Sequence, residues 1–243
     1  EAILGAGGVV STAEGRMTYE CDMHTFYKGA PDVVALPETT AQVVELVRFC
    51  RREHVALVPR GSGTGLIGGA MAPVGGVMVS LTRMNGILEL DFANRCATVQ
   101  PGLINLWLSQ ATRDAGYYFA PDPSSQMVSS IGGNASPNAG GPHCLKYGIT
   151  VNHVLGLEVV TGAGEILSVG GKAHDHPGYD LTGALVGGEG TLGLLTAITV
   201  RLLHVPAAVK TLLASFSDID DASEAVSAIV AAGIIPAALE MID

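Results

Sequence analysis

The residues with the clearest capacity for chemistry lie in one short run, Pro59-Arg60-Gly61-Ser62-Gly63-Thr64-Gly65-Leu66. Glycine at alternate positions lets the backbone bend sharply and bring its N–H groups close to a ligand. Successive N–H groups in such a turn make a concavity that suits phosphate oxygens. Ser62 and Thr64 add hydroxyl donors, and Arg60 adds a fixed positive charge. This chemistry is that of a pyrophosphate cradle; a plain glycine-rich surface loop is the competing reading. Spacing removes two other phosphate loops. A Walker loop needs Gly-Lys-Ser/Thr after four intervening residues, and no lysine stands here. The dinucleotide fingerprint needs a helix directly after its glycines, whereas Ile67-Gly68-Gly69-Ala70 leads to another turn at Pro73-Val74-Gly75-Gly76.

A second ligand-like run extends from Pro121 to Gly141. Pro121, Asp122, Pro123 and Ser125 open it, and Gly132, Gly133, Asn134, Ser136, Asn138, Ala139, Gly140 and Gly141 fill its second half. An irregular segment of this length in a compact domain is functional or disordered, and the apolar Met127, Val128 and Ile131 favour order. The glycine pairs permit close backbone approach, and the asparagine amides both donate and accept. A flat heteroaromatic ring with carbonyls and ring nitrogens needs such a lining. A structural loop with Asn-capped turns explains the same residues. A third cluster runs from Gly187 to Gly193, in which Glu189, followed by Gly190, is the one charge. Its carboxylate suits a ribose or loop amides, or simply caps the turn. His143 and Lys146 follow the second run and bring positive charge to that neighbourhood. His174-Asp175-His176 has the residue types of a metal site, but before Pro177-Gly178 it reads as solvent-exposed, so no metal is expected.

These runs need a frame to hold them. Val33–Leu36 reads as a strand, Thr39–Glu53 as a helix with a Thr39/Gln42 capping box and a Val43, Leu46, Val47, Cys50 stripe, and Val55–Val58 as a second strand. Strand, helix and strand in that order predict a parallel crossover, with the first glycine loop at a strand's carboxyl end. Further strands are expected at 77–81, 87–90, 95–100, 154–160, 166–168 and 194–202, and a helix at 104–115. After Pro206 a strand at 209–216, a helix at 218–232 and a strand at 236–241 predict the start of another unit. Residues 1–30 read as a peripheral lead-in, with Tyr19, Asp22 and Tyr27 lining a site as the alternative.

Composition narrows the class. The 243 residues are 48% hydrophobic and include 32 glycines scattered among apolar runs, which suits an ordered protein of many tight turns. A net charge of -10 with 13 Lys+Arg argues against nucleic acid. The 4 cysteines form no C-x-x-C pair, so neither a zinc ribbon nor an iron–sulfur cluster is indicated, and they read as reduced residues of a cytoplasmic protein. No apolar run reaches membrane-spanning length. The chain does not begin with methionine, so it is read as starting inside a longer protein.

Taken together, PRGSGTGL at 59–66, PDPSS at 121–125, IGGNASPNAGG at 131–141, KYG at 146–148 and GGEGTLG at 187–193 resemble the FAD-binding PCMH-type flavoproteins of the vanillyl-alcohol oxidase kind. Within these, the chain is similar to the family of the glycolate oxidase FAD subunit and the D-lactate and D-2-hydroxyglutarate dehydrogenases. The resemblance implies an α+β fold in which two subdomains, about 31–100 and 101–205, clasp an extended FAD, and 206–243 opens a ferredoxin-like substrate cap. It places residues 59–66 on the pyrophosphate, and 121–125, 132–141 and Tyr147 along the pyrophosphate and flavin. Glu189, Gly190 and the strand near Ile198 lie by the ribose and adenine. Some relatives attach FAD through a histidine in the first loop; Ser62, Gly63 and Thr64 stand here instead, which implies non-covalent FAD. The implied reaction is oxidation of a D-2-hydroxy acid with hydride transfer to the flavin, with electrons passing to a separate acceptor such as an iron–sulfur subunit. The catalytic base is expected beyond this chain, so no catalytic residue is assigned. An alcohol or sugar-lactone oxidase of the same superfamily, or a non-catalytic FAD-binding module, remain the alternatives.

Overall fold

The computed structural model describes residues 2–173 and 178–242, so the His174-Asp175-His176 run lies outside the described residues. The chain opens with β1 (Val9–Val10) and α1 (Ala13–Met17), followed by β2 (Val33–Ala35), α2 (Thr40–Arg52), β3 (Leu57–Arg60) and β4 (Val77–Ser80). These strands form one sheet in the order β1-β2-β4-β3. The crossover from β2 through α2 to β3 is parallel, as its pattern predicts, but β4 lies between the two strands and pairs with both. Val77-Met78-Val79-Ser80 is buried throughout, which suits the central position of a parallel sheet. β3 starts two residues later than expected and runs through Pro59 to Arg60. A proline is tolerated there because β3 is an edge strand.

The Thr39 hydroxyl caps α2 by accepting from Gln42 N–H, while Gln42 Oε1 accepts from Glu38 N–H at 2.7 Å. The predicted stripe, with Val44 added, is buried against Ala35, Val77 and Val79 of the sheet. The opposite face of the sheet meets Val10 and Tyr19 of the amino-terminal segment.

The second sheet is antiparallel, in the order β5-β6-β10-β8-β9. It comprises β5 (Ile87–Asp91), β6 (Cys96–Val99), β8 (Val154–Val160), β9 (Ile166–Gly170) and β10 (Leu194–Arg201). Between β6 and β8 lie α3 (Asn105–Thr112), β7 (Tyr117–Tyr118), α4 (Ile131–Ala135) and α5 (Cys144–Tyr147); α6 (Leu181–Leu185) precedes β10. Leu108, Phe119 and Ile131 pack with Val99, Leu157 and Ile198 in this core. β11 (Leu203–His204) pairs with β7.

The two sheets are tied through α2. Val160 and Leu194 of the second sheet join the cluster under α2. Glu158 Oε1 accepts hydrogen bonds from Thr40 Oγ1 at 2.9 Å and Thr196 Oγ1 at 2.8 Å, joining the first turn of α2 to β8 and β10.

Beyond β11 the expectation is only partly met. The helix is present as α7 (Ile219–Ala231), but 209–216 and 236–241 form no ladder. Leu212 and Leu213 are almost fully exposed. A strand needs neighbours to take its backbone groups, and none of the described residues provides them.

Candidate functional site

β3 delivers Arg60 to the carboxyl end of the parallel strands, and the first glycine run begins there. Arg60 is buried, at 7% exposure. Its Nη1 donates to Ala70 O and its Nη2 to Cys21 O, each at 2.9 Å, and the guanidinium stands 5.6 Å from the Tyr19 ring centroid. Burial pushes its pKa down, opposed by the nearby Asp22. Among the described residues, no carboxylate lies within ion-pair distance of it. A buried charge without an ionic partner is costly, and an anion above it offsets that cost.

The backbone above the cation is arranged to receive such an anion. Among the described residues, the N–H groups of Ser62, Gly63, Thr64 and Gly65 have no hydrogen-bond acceptor. Gly63 has φ +73°, which re-aims the chain at the middle of the run. Asp22 ties the loop from the amino-terminal segment: its Oδ2 accepts from Gly68 N–H at 2.9 Å and its Oδ1 from His24 N–H at 2.8 Å. The expectation of a peripheral lead-in is therefore corrected at residues 19–22, which lie beneath the loop. Residue type alone marks Tyr19 and Asp22 as possible site residues, but not their pairing with the loop, because Arg60 and Cys21 are 39 positions apart.

The other two glycine runs form the facing walls. Gly61 stands against α4: a Cβ there would meet Ser130 Oγ at 2.8 Å and Gly133 Cα at 3.2 Å. The third run is hung on the second by Gly187 N–H to Ala135 O at 3.0 Å and Glu189 N–H to Ser136 O at 2.9 Å. Gly190 lies against the Pro59 ring. Pro59 to Gly65, Gly132, Gly133, Ser136, Glu189 and Gly190 thus share one groove, which encloses about 100 Å3 and reaches about 800 Å3 only when its open mouth is counted. Leu81, Pro101 and Leu194 supply its apolar surface.

Other predicted residues do not line this groove. Leu66 points to solvent at 68% exposure. Ile198 is fully buried in β10 between Val99 and Leu157. Pro121 O and Asn134 Oδ1 both accept from the Asn105 amide at 2.9 Å. Asn138 has φ +56° and accepts from Val151 N–H at 2.9 Å, and Ala139 O accepts from Thr150 Oγ1 at 2.7 Å. Pro123 and Ser125 form turns through their carbonyls, Gly140 abuts Cys144, and Gly141 packs on the Asp122 backbone. These residues shape the walls from behind.

Asp122 and Tyr147 face a second pocket of about 400 Å3, between α3, residues 117–126, α5 and residues 205–209. His143 Nδ1 sits 2.5 Å from Asp122 Oδ2 there. Burial pushes the Tyr118 hydroxyl pKa up, with Tyr147 adding to the shift, so Tyr118 stays protonated. Sequence reasoning singles out His143 but not the pairing, which spans 21 positions.

The family model described as FAD binding domain matches residues 31–170. The chain belongs to the FAD binding domain family. A second model, described as FAD linked oxidases, C-terminal domain, matches 205–243 of this FAD-binding chain. FAD is its cofactor, and the groove fits that group: free amides over a buried cation suit a diphosphate, and an apolar floor suits a ring.

The FAD-binding chain is 47% identical over 235 residues to glycolate oxidase subunit GlcD of Escherichia coli (strain K12), covering 97% of this chain and 47% of the relative. It is 37% identical over 221 residues to D-2-hydroxyglutarate dehydrogenase of Stutzerimonas stutzeri (strain A1501), covering 90% and 48%. The solved structure of alkyldihydroxyacetonephosphate synthase superposes with TM-score 0.82 at 24% identity, over 97% of this chain and 49% of that one, which shows the fold. The chain spans about half the length of the curated relatives it matches. Among the described residues, no helix is long and apolar enough to cross a membrane, and no group of three or more His, Cys, Asp or Glu is placed to hold a metal.

Proposed function

We propose that this chain forms the FAD-binding part of an oxidoreductase that oxidises a D-2-hydroxy acid. The observation that carries the reading is the row of four acceptor-less amides, Ser62 to Gly65, over the buried Arg60. Those amides, with the Ser62 and Thr64 hydroxyls, hold the two phosphates, and the guanidinium beneath balances their charge. Ser136, Pro137 and the Gly132-Gly133 backbone form the opposite wall and orient what lies between. Glu189 stands at the rim as an acceptor for ribose hydroxyls. No residue of the first loop offers a histidine, so the cofactor is held without a covalent bond there. When bound, FAD supplies the hydride acceptor; the protein binds, orients and excludes water.

The substrate class rests on the names of the relatives, glycolate oxidase subunit and D-2-hydroxyglutarate dehydrogenase. The word subunit in the first supports a separate electron-accepting partner, read here as an iron–sulfur protein. The four cysteines are free, which suits a reducing, cytoplasmic compartment. The domain division is proposed at about residue 30, between Ser80 and Ile87 rather than at about 100, and at about 205, since the first sheet ends with β4 while β5 and β6 already belong to the second sheet, which is complete by Arg201.

The test is the absorbance spectrum of the purified chain and of Gly63→Glu. Visible flavin bands that survive gel filtration but are released on denaturation support the reading, and Gly63→Glu, which puts bulk and negative charge into the cradle, should lose them. A chain that stays colourless after incubation with FAD overturns it.

A further inference from the structure

We propose that Glu158 is a positioning residue for the cofactor: by pinning a bulge at Thr196 of β10 to the first turn of α2, it fixes which way Leu194 and Leu195 face and so shapes the apolar floor of the FAD groove. The proposal rests on the FAD-binding reading above, and it concerns a residue that does not itself line the groove. Three features carry it.

The first is register. β10 pairs with β8 through Leu194 opposite Val160 and Leu195 opposite Val159, then steps to Ala197 opposite Glu158. Thr196 is left as an extra residue, which makes a β-bulge. Side chains alternate along a strand, so in a regular ladder Leu195 and Ile198 would face opposite sides. With one residue inserted between them they face the same side. Leu195 accordingly joins Ile198 and Val200 in the core of the second sheet, while Leu194 joins Val160 in the core under α2. Both leucines line the groove. Without the bulge the strand slips by one residue and the two faces exchange.

The second is the group that holds the bulge. Glu158 Oε1 accepts from Thr196 Oγ1 at 2.8 Å and from Thr40 Oγ1 at 2.9 Å, and Thr196 is 1% exposed. Hydroxyls bind a carboxylate more strongly than a neutral acceptor. Charge suits the place as well. α2 is 13 residues long and has no acidic residue in its own first turn, and the amino-terminal end of a helix favours an anion. Glu158 supplies that anion from the neighbouring sheet.

The third is proximity. Gly193, Leu194 and Leu195, the three residues before Thr196, all line the groove. A Cβ on Gly193 would meet Val159 Cγ1 at 2.6 Å and Val160 O at 2.7 Å, so the floor rests on the two residues that follow Glu158. α2 is tied to the same strand a second time beyond them. A Cβ on Gly164, in the turn between β8 and β9, would lie 2.5 Å from Arg48 Cγ. These ties hold the sheet that delivers Arg60 against the strand that carries the floor.

The experiment is fluorescence titration of the chain with FAD, with visible circular dichroism of the bound flavin, at a temperature well below the melting midpoint of every variant. Glu158→Leu should weaken FAD about tenfold and alter the flavin dichroism, and Thr196→Val should weaken it about fivefold. Glu158→Gln, which keeps Oε1 as an acceptor, should stay within about threefold of the wild type. The double variant Glu158→Leu/Thr196→Val should bind no more weakly than Glu158→Leu, because both remove one linkage. A lowered midpoint with wild-type affinity and dichroism in Glu158→Leu and Thr196→Val overturns the proposal, since the node would then serve the fold alone. Additive losses in the double variant overturn it too. If Glu158→Leu does not fold, Thr196→Val decides by the same comparison. A wild-type chain that takes up no FAD overturns the FAD-binding reading and this proposal with it, whereas wild-type binding that no variant weakens overturns this proposal alone.

Discussion

Gly63 lies directly over the Arg60 guanidinium: at φ +73° a Cβ there would overlap Nη2. The glycine lets the loop close on a buried cation, and the cation in turn holds the loop through Ala70 O and Cys21 O. Shape and charge of the cradle therefore depend on one another. Arg60→Met removes both hydrogen bonds and the charge while keeping an unbranched apolar stem. Bonds to a charged group contribute about 1.5–3 kcal/mol, so FAD affinity should fall about 10- to 100-fold, read by flavin fluorescence titration. Arg60→Lys keeps the charge, but a single ammonium cannot span two carbonyls in a fork. Most of the loss should persist in it. Full affinity in Arg60→Lys would show that charge alone suffices.

The same pair shows what was legible in the sequence. A glycine-alternating run after a short strand announces a cradle by local composition, and all three such runs line one groove. The periodic elements, α2 above all, were equally plain because their apolar spacing is local. Three things were not. β4 inserts between β2 and β3, a long-range choice that no pattern within either strand encodes. α4, Ile131–Ala135, contains Gly132, Gly133 and Asn134, poor helix formers that read as loop; the Ser130 hydroxyl and the packing of Ile131 override that propensity. The contribution of Cys21 and Asp22 depends on contacts across some forty positions. Asn134 and Asn138 show a further limit. Their type and spacing suit a ligand lining or a structural loop equally, because composition cannot say whether an amide faces a ligand or the loop's own backbone. Here both face backbone or a neighbouring side chain.

Glu189 tests the rim of the groove. It has φ +52°, a left-handed conformation that strains a non-glycine residue, and its N–H is tied to Ser136 O at 2.9 Å. Its side chain is exposed. A strained carboxylate with no burial to stabilise it fits a ligand contact better than a packing role. Glu189→Gly relieves the strain while deleting the carboxylate. The thermal midpoint should stay level or rise, offset in part by the entropy of glycine in the unfolded chain, while the Kd for FAD rises about three- to tenfold. A variant with wild-type affinity for FAD would return Glu189 to the role of a turn residue.

His153 sets an acid limit to the fold. It is 3% exposed; Nε2 donates to Tyr147 O at 2.8 Å, while Nδ1 is buried with no partner among the described residues. Burial pushes its pKa below the usual 6.5, the Tyr147 hydrogen bond opposes that shift, and Arg201 adds to it. The folded chain therefore holds the ring neutral at pH values where the unfolded chain binds a proton. Stability is complete above the unfolded value, near 6.5, and falls as pH drops from there toward the lowered folded value. Within that window the loss approaches about 1.4 kcal/mol per pH unit from this one group. Urea midpoints at pH 7.5, 6.5 and 5.5 should fall with acidity in the wild type. His153→Gln keeps a donor for Tyr147 O but does not titrate. It should be less stable at pH 7.5 and lose less on acidification, the remaining histidines being common to both chains. Parallel pH curves for the two proteins would assign the acid sensitivity elsewhere.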